Sequence, residues 1–174
     1  GHDKVYVLDG GMKCWQSQRL PLQSSIPSPQ SKRFMPCFNQ HLVCSLAQMK
    51  LIYQQPGYLV LDSRSPDSFS GKRPVSDPNI KPGHIPGSIN MPYSKLRSAE
   101  THLMHSPEIL RSFFKTLTCE TGRSVVATCG SGVSAAVLVL ALFRIGLTDV
   151  SLYDGSWAEW GGQKDTPVER NGVK

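Results

Sequence analysis

Apolar positions along this chain fall into two spacings. Residues 58–61 (YLVL), 124–128 (SVVAT) and 150–153 (VSLY) are short runs rich in β-branched and aliphatic side chains with little polar alternation, the pattern of strands covered on both faces. Helical signals lie between them. Ser45 reads as an N-cap for a helix over 45–54, and Ser106-Pro107-Glu108 combines a cap, a proline at the first position and an acid in the first turn, predicting a helix to about 117. Residues 134–145 form an almost wholly apolar helix and 156–160 a short one, while 84–90, bounded by Gly and Pro, predicts a brief strand. Buried strands alternating with helices imply an α/β fold: a doubly wound, mostly parallel sheet with helices on both faces.

The opening of the chain does not fit that alternation. Residues 4–8 (KVYVL) predict a strand, stopped by Asp9-Gly10-Gly11 and followed by a helix over 12–18. One strand and one helix cannot bury their own apolar faces. Residues 20–31 then carry three Pro and four Ser, a linker composition. The expected organisation is therefore the carboxyl-terminal tail of a preceding domain over 1–22, a linker over 23–36 and one complete domain over 37–174.

Composition changes this picture little. At 174 residues and 39% hydrophobic, the chain is long enough for one well-buried core. Its formal charge of +6 is concentrated before residue 58, where six Lys and Arg face two acids; the remainder holds thirteen against eleven. No Lys/Arg run exceeds two residues, which argues against nucleic-acid binding. The longest strongly apolar stretch, 137–143, is far short of the about twenty residues of a membrane-spanning helix, so no membrane is expected. Five cysteines without a Cys-x-x-Cys pair argue against a disulfide framework or a structural zinc site, and point to a reducing compartment. Neither metal nor cofactor is expected.

Candidate chemistry centres on residues 125–136 (VVATCGSGVSAA), where a strand ends at Cys129 and a helix begins near Ser134. In open parallel sheets ligands bind at carboxyl strand ends, where loops surround a crevice and helix amino ends point into it. Gly130 and Gly132 free the backbone to curl until several N–H groups face the Cys129 sulfur. Converging amides and a helix amino end both favour a thiolate, the reactive form of cysteine. A small cysteine closing a core strand is the bland alternative, and it stands for Cys14, Cys37, Cys44 and Cys119, none of which sits in such a loop. A P-loop is argued against by the missing G-K-[ST], and a cysteine phosphatase by the missing arginine, since Val133-Ser134-Ala135-Ala136 occupies its place.

The stretch C-G-S-G-V-S-A, from Cys129 to Ala135, resembles the active-site loop of the rhodanese superfamily, specifically its 3-mercaptopyruvate sulfurtransferases. Asp62-Ser63-Arg64, Gly83-His84-Ile85-Pro86-Gly87 and Tyr153-Asp154-Gly155-Ser156-Trp157 match further signatures in the expected order. The resemblance implies a rhodanese-like domain in which Cys129 takes sulfur from 3-mercaptopyruvate, or from thiosulfate as second choice, and passes the persulfide sulfur to a thiol, thioredoxin or cyanide. It makes Cys129 and Ser131 catalytic, with Gly130, Gly132, Val133, Ser134 and Ala135 forming the loop. Arg64 and His84 are expected to be structural. The resemblance also implies a first domain, ended by residues 1–15, that supplies an acid and a histidine to the site. Where the family places substrate-binding arginines, this chain has Ser68 and Asp77, leaving Arg73, Lys72 and Lys81 as candidate sources of positive charge. The compartment implied is cytoplasmic or mitochondrial.

A second reading is a sulfur-carrier or protein-binding module with weak turnover. Residues 1–22 would expose apolar side chains if undocked, so they are expected to pack on this copy or, by self-association through the surface the absent first domain would cover, on a neighbouring one.

Overall fold

The computed structural model describes residues 4–118 and 122–170. Its centre is a five-stranded sheet in the order β1-β5-β4-β2-β3, with every pairing parallel. The strands are β1 (Val43–Cys44), β2 (Tyr58–Asp62), β3 (Ile89–Asn90), β4 (Ser124–Thr128) and β5 (Val150–Tyr153). β2 and β4 run in register from Tyr58 opposite Ser124 to Asp62 opposite Thr128.

Side-chain alternation along these two strands divides the core into two layers. Leu59, Leu61, Val125 and Ala127 face α4 (Pro107–Thr118) and α5 (Val133–Arg144), packing on Leu110, Phe114, Leu138 and Leu142. Val60 and Val126 face the opposite layer, where α2 (Leu46–Ile52) contributes Met49 and α6 (Ser156–Gly162) contributes Trp157 and Trp160. Two-sided burial explains why the strands read as continuous apolar runs. Ser45 caps α2 through a reciprocal box, its hydroxyl accepting from the Gln48 N–H while its own N–H donates to Gln48 Oε1.

Two expectations for local structure are corrected, and two short elements are added. The strand read over 84–90 contracts to Ile89–Asn90, preceded by a single antiparallel bridge between His84 and Glu169. β1 adds an element with no clear sequence signal, and a one-turn helix, α3 (Pro66–Phe69), forms on Ser65-Pro66-Asp67, the same cap, proline and acid that open α4. Residues 4–8 form no ladder: Val5, Tyr6, Val7 and Leu8 stay 70%, 87%, 68% and 56% exposed, although Asp9 Oδ1 accepts from the Met104 N–H at 2.9 Å. β-propensity expresses itself only against a partner strand, and this run has none among the described residues. The short helix after it, α1 (Gly11–Ser17), does form.

No helix among the described residues is long and apolar enough to cross a membrane.

Candidate active site

The strand order creates one reversal. The chain leaves β2 toward β3 on one side and leaves β4 toward β5 on the other, so the carboxyl ends of the adjacent strands β2 and β4 flank the switch point. Asp62-Ser63-Arg64 follows one strand and Cys129 the other.

Cys129 is 2% exposed, yet its loop supplies what burial removes. Burial pushes its thiol pKa up; the Ser134 hydroxyl and the backbone N–H groups of Ala135, Ser131 and Ser134 all hydrogen-bond the sulfur, and their sum brings the pKa below the ordinary thiol value. Cys44 is the internal contrast. At 4% exposure, with burial as the cause, its pKa is pushed up to about 11. Equally enclosed thiols thus move in opposite directions, and the donors decide which.

The loop is held open toward the sulfur from behind. α6 donates its Trp157 and Ala158 N–H groups to the carbonyls of Cys129 and Gly130 at 2.9 and 2.8 Å. The Ser156 hydroxyl gives its proton to the Tyr153 carbonyl at 2.8 Å and accepts from the N–H groups of Cys129 and Gly132 at 3.1 and 3.0 Å, with Cys129 Sγ 4.0 Å away. Ser156 adopts φ +52° in a fully buried position, a strained backbone for a non-glycine residue. In the sequence Ser156 is the start of a short helix and a member of the Tyr153–Trp157 signature, and neither shows that its hydroxyl braces the loop.

The two loop glycines differ. Gly132 caps α5 at φ +81°, and a Cβ there would lie 2.9 Å from the Asp154 carbonyl oxygen and 3.0 Å from its carboxylate. Gly130 has no positive φ, and a Cβ on it would meet open space. Gly130→Ala is therefore expected to leave the urea midpoint nearly unchanged, whereas Gly132→Ala costs at least about 1–2 kcal/mol from backbone strain alone.

The remaining sequence candidates separate into three groups. Ser131, Val133 and Ser134 lie with Cys129 in the loop, Ser131 and Val133 exposed and Ser134 half-buried, while Ala135 is buried in the first turn of α5. Arg64 and His84 have partners outside it. Arg64 grips the buried Asp62 carboxylate through Nε at 2.9 and 3.0 Å and Nη2 at 2.6 Å, gives a further bond to the Gly83 carbonyl at 2.9 Å, and lies 4.6 Å over the Trp157 ring. His84 stacks on Phe69, with Nδ1 2.8 Å from the Phe69 carbonyl and Nε2 3.8 Å from the Glu169 carboxylate.

Ser68 and Arg73 belong to the α3 region. The Ser65 hydroxyl accepts from the Ser68 N–H, and the Arg73 side chain is exposed. Lys72 is exposed as well, whereas the Lys81 ammonium donates to the Thr166 carbonyl at 2.8 Å. Asp77 accepts from Asn79. Cys119 lies outside the described residues. Among the described residues no group of three or more His, Cys, Asp or Glu side chains could hold a metal ion.

Residues 45–163 match the family described as Rhodanese-like domain. Human 3-mercaptopyruvate sulfurtransferase is 38% identical over 160 residues, covering 92% of this chain and 54% of that protein. Thiosulfate/3-mercaptopyruvate sulfurtransferase 1, mitochondrial, of Arabidopsis thaliana is 33% identical over 190 residues, covering 97% and 50%. The crystal structure of Tum1 protein from Saccharomyces cerevisiae superposes with a TM-score of 0.83 at 27% identity, over 98% of this chain and 62% of that one. The chain spans about half the length of the curated relatives it matches. Since the matched segment includes the switch point, the whole Cys129 loop and the helix that braces it, the chain belongs to the rhodanese-like domain family.

Proposed function

We propose that this chain moves sulfur from 3-mercaptopyruvate through Cys129 to a thiol acceptor, thioredoxin or cyanide. The observation that carries the reading is the convergence of the Ser134 hydroxyl and three backbone N–H groups on a sulfur that burial alone would have kept protonated. Such a loop stabilises negative charge at that point.

In the first half-reaction the Cys129 thiolate attacks the thiol sulfur of 3-mercaptopyruvate. The S–S bond forms as the C–S bond breaks, and its electron pair leaves on carbon as the pyruvate enolate. The proton of the transferred sulfur passes to that carbon, giving pyruvate and a persulfide anion, so atoms and charge balance. Ser131, exposed at the loop, is the residue we assign to that proton transfer. In the second half-reaction a dithiol takes the outer sulfur as hydrogen sulfide, closing its own disulfide and returning the Cys129 thiolate.

Ser68 favours a second reading. It stands where the family resemblance places a guanidinium for the substrate carboxylate, and a serine cannot form the bidentate pair. A sulfur-carrier or protein-binding module with weak turnover is the outcome if that loss dominates, and thiosulfate is the alternative donor if turnover persists. The relatives' names support both donors, and one of them carries a mitochondrial address. A mitochondrial or cytoplasmic setting, a protein thiol as acceptor, and a second rhodanese-like unit next to residues 4–22 belong to the same proposal.

The test is to mix the protein with 3-mercaptopyruvate and dithiothreitol and follow pyruvate and sulfide, with thiosulfate as a parallel donor. Stoichiometric pyruvate and sulfide support the first reading. A persulfide on Cys129 without turnover of either donor supports the carrier; neither turnover nor persulfide removes both.

A further inference from the structure

The switch point brings a second serine to the loop. Ser63 follows β2 directly and is fixed by its own backbone: its N–H donates to the Thr128 carbonyl at 2.9 Å, and its carbonyl accepts from the Tyr93 N–H at 3.0 Å. Its side chain is fully buried, with Oγ 2.9 Å from Ser134 Oγ.

Ser134 has one hydroxyl proton and two acceptors for it: Ser63 Oγ, at 2.9 Å, and the Cys129 sulfur, whose pKa the Ser134 hydroxyl helps to lower. A thiolate can only accept. Both contacts are therefore hydrogen bonds in one arrangement alone, in which Ser63 donates to Ser134 and Ser134 donates to the sulfur. We propose that Ser63 is a positioning residue for the sulfur chemistry: its hydroxyl occupies the Ser134 oxygen as donor and so directs the Ser134 proton to Cys129 Sγ.

This inference rests on the reading of Cys129 as the nucleophile. Its basis is the in-register pairing of Asp62 with Thr128, which sets the residue after each strand side by side. Hydroxyls in series polarise one another, so the outer donor strengthens the inner bond. When the sulfur is protonated the same pair can reverse, Ser134 turning its proton to Ser63, so the network follows the charge state of the sulfur.

The test reads alkylation of Cys129 by iodoacetamide against pH, resolved by peptide mass. Ser63→Ala is expected to raise the midpoint and leave roughly two- to four-fold less thiolate below it, the effect of weakening one charge-assisted bond by its cooperative part. Ser63→Cys, which keeps the volume with a weaker donor, falls between the two and serves if the alanine variant folds poorly. On a Ser134→Ala background, Ser63→Ala shifts nothing further. An unchanged midpoint in Ser63→Ala or Ser63→Cys, or an equal shift without Ser134, overturns the inference while leaving Cys129 as nucleophile. A wild-type midpoint no lower than that of an ordinary cysteine overturns the reading of Cys129 itself.

Discussion

Cys129→Ser is expected to reduce pyruvate release from 3-mercaptopyruvate by roughly a thousand-fold or more, because the attacking atom and the carrier of the transferred sulfur are lost together. A serine hydroxyl stays protonated at neutral pH and cannot hold a persulfide. The fold should tolerate the change, since the oxygen still receives the loop donors, so a preserved urea midpoint alongside lost turnover is the pattern to look for. Equal rates for the two proteins would remove Cys129 from the chemistry.

The same cysteine sets a pH dependence. Its folded pKa is depressed, so reactivity and its share of stability are present above the unfolded thiol value and are lost as pH falls through the folded one. Cys44 has the opposite sign. With its pKa raised to about 11, its contribution is complete below the unfolded value and disappears as pH rises through that point. Alkylation near neutral pH should therefore label Cys129 and spare Cys44.

Arg64→Ala is expected to cost about 3–5 kcal/mol, the largest stability loss of any single change considered, because it strands the Asp62 carboxylate in the interior. Asp62 is 1% exposed and takes three side-chain bonds from one guanidinium. Arg64→Lys should recover only part, since an ammonium cannot reproduce the planar fork, the bond to Gly83 and the stacking over Trp157. The double variant Asp62→Asn with Arg64→Met should fall closer to the wild type than Arg64→Ala does. Urea midpoints of the four proteins decide it; an unchanged midpoint in Arg64→Ala would show that the charge is satisfied some other way.

How much of this was legible in the sequence depends on the range over which each feature is specified. β2, β4, β5, α4 and α5 were readable because burial on both faces, caps and helix starts are written in adjacent residues. β1, two residues long, exists only because a neighbouring strand pairs with it, and no local pattern marks it, while β3, equally short, is what pairing leaves of the strand expected over 84–90. Residues 4–8 show the converse, a local preference with no partner to realise it. In the site, the Cys129 loop was legible as a strand end followed by glycines and a helix, although only Gly132 needs glycine geometry. Ser63 and Ser156 were not legible as site residues: one arrives through strand register and the other through the turn before α6, and both approach the loop across long sequence separations.

The sheet has two very short margins. A sheet edge recruits further chains by offering a row of free amides and carbonyls, and here each outer strand offers two residues before the backbone turns away. Fibril-like growth from the folded sheet is thereby blocked at both sides. The hazard moves to the exposed Val5–Leu8 run, which joins no ladder and whose apolar side chains make it the place where shielding, by whatever covers it, would most improve solubility.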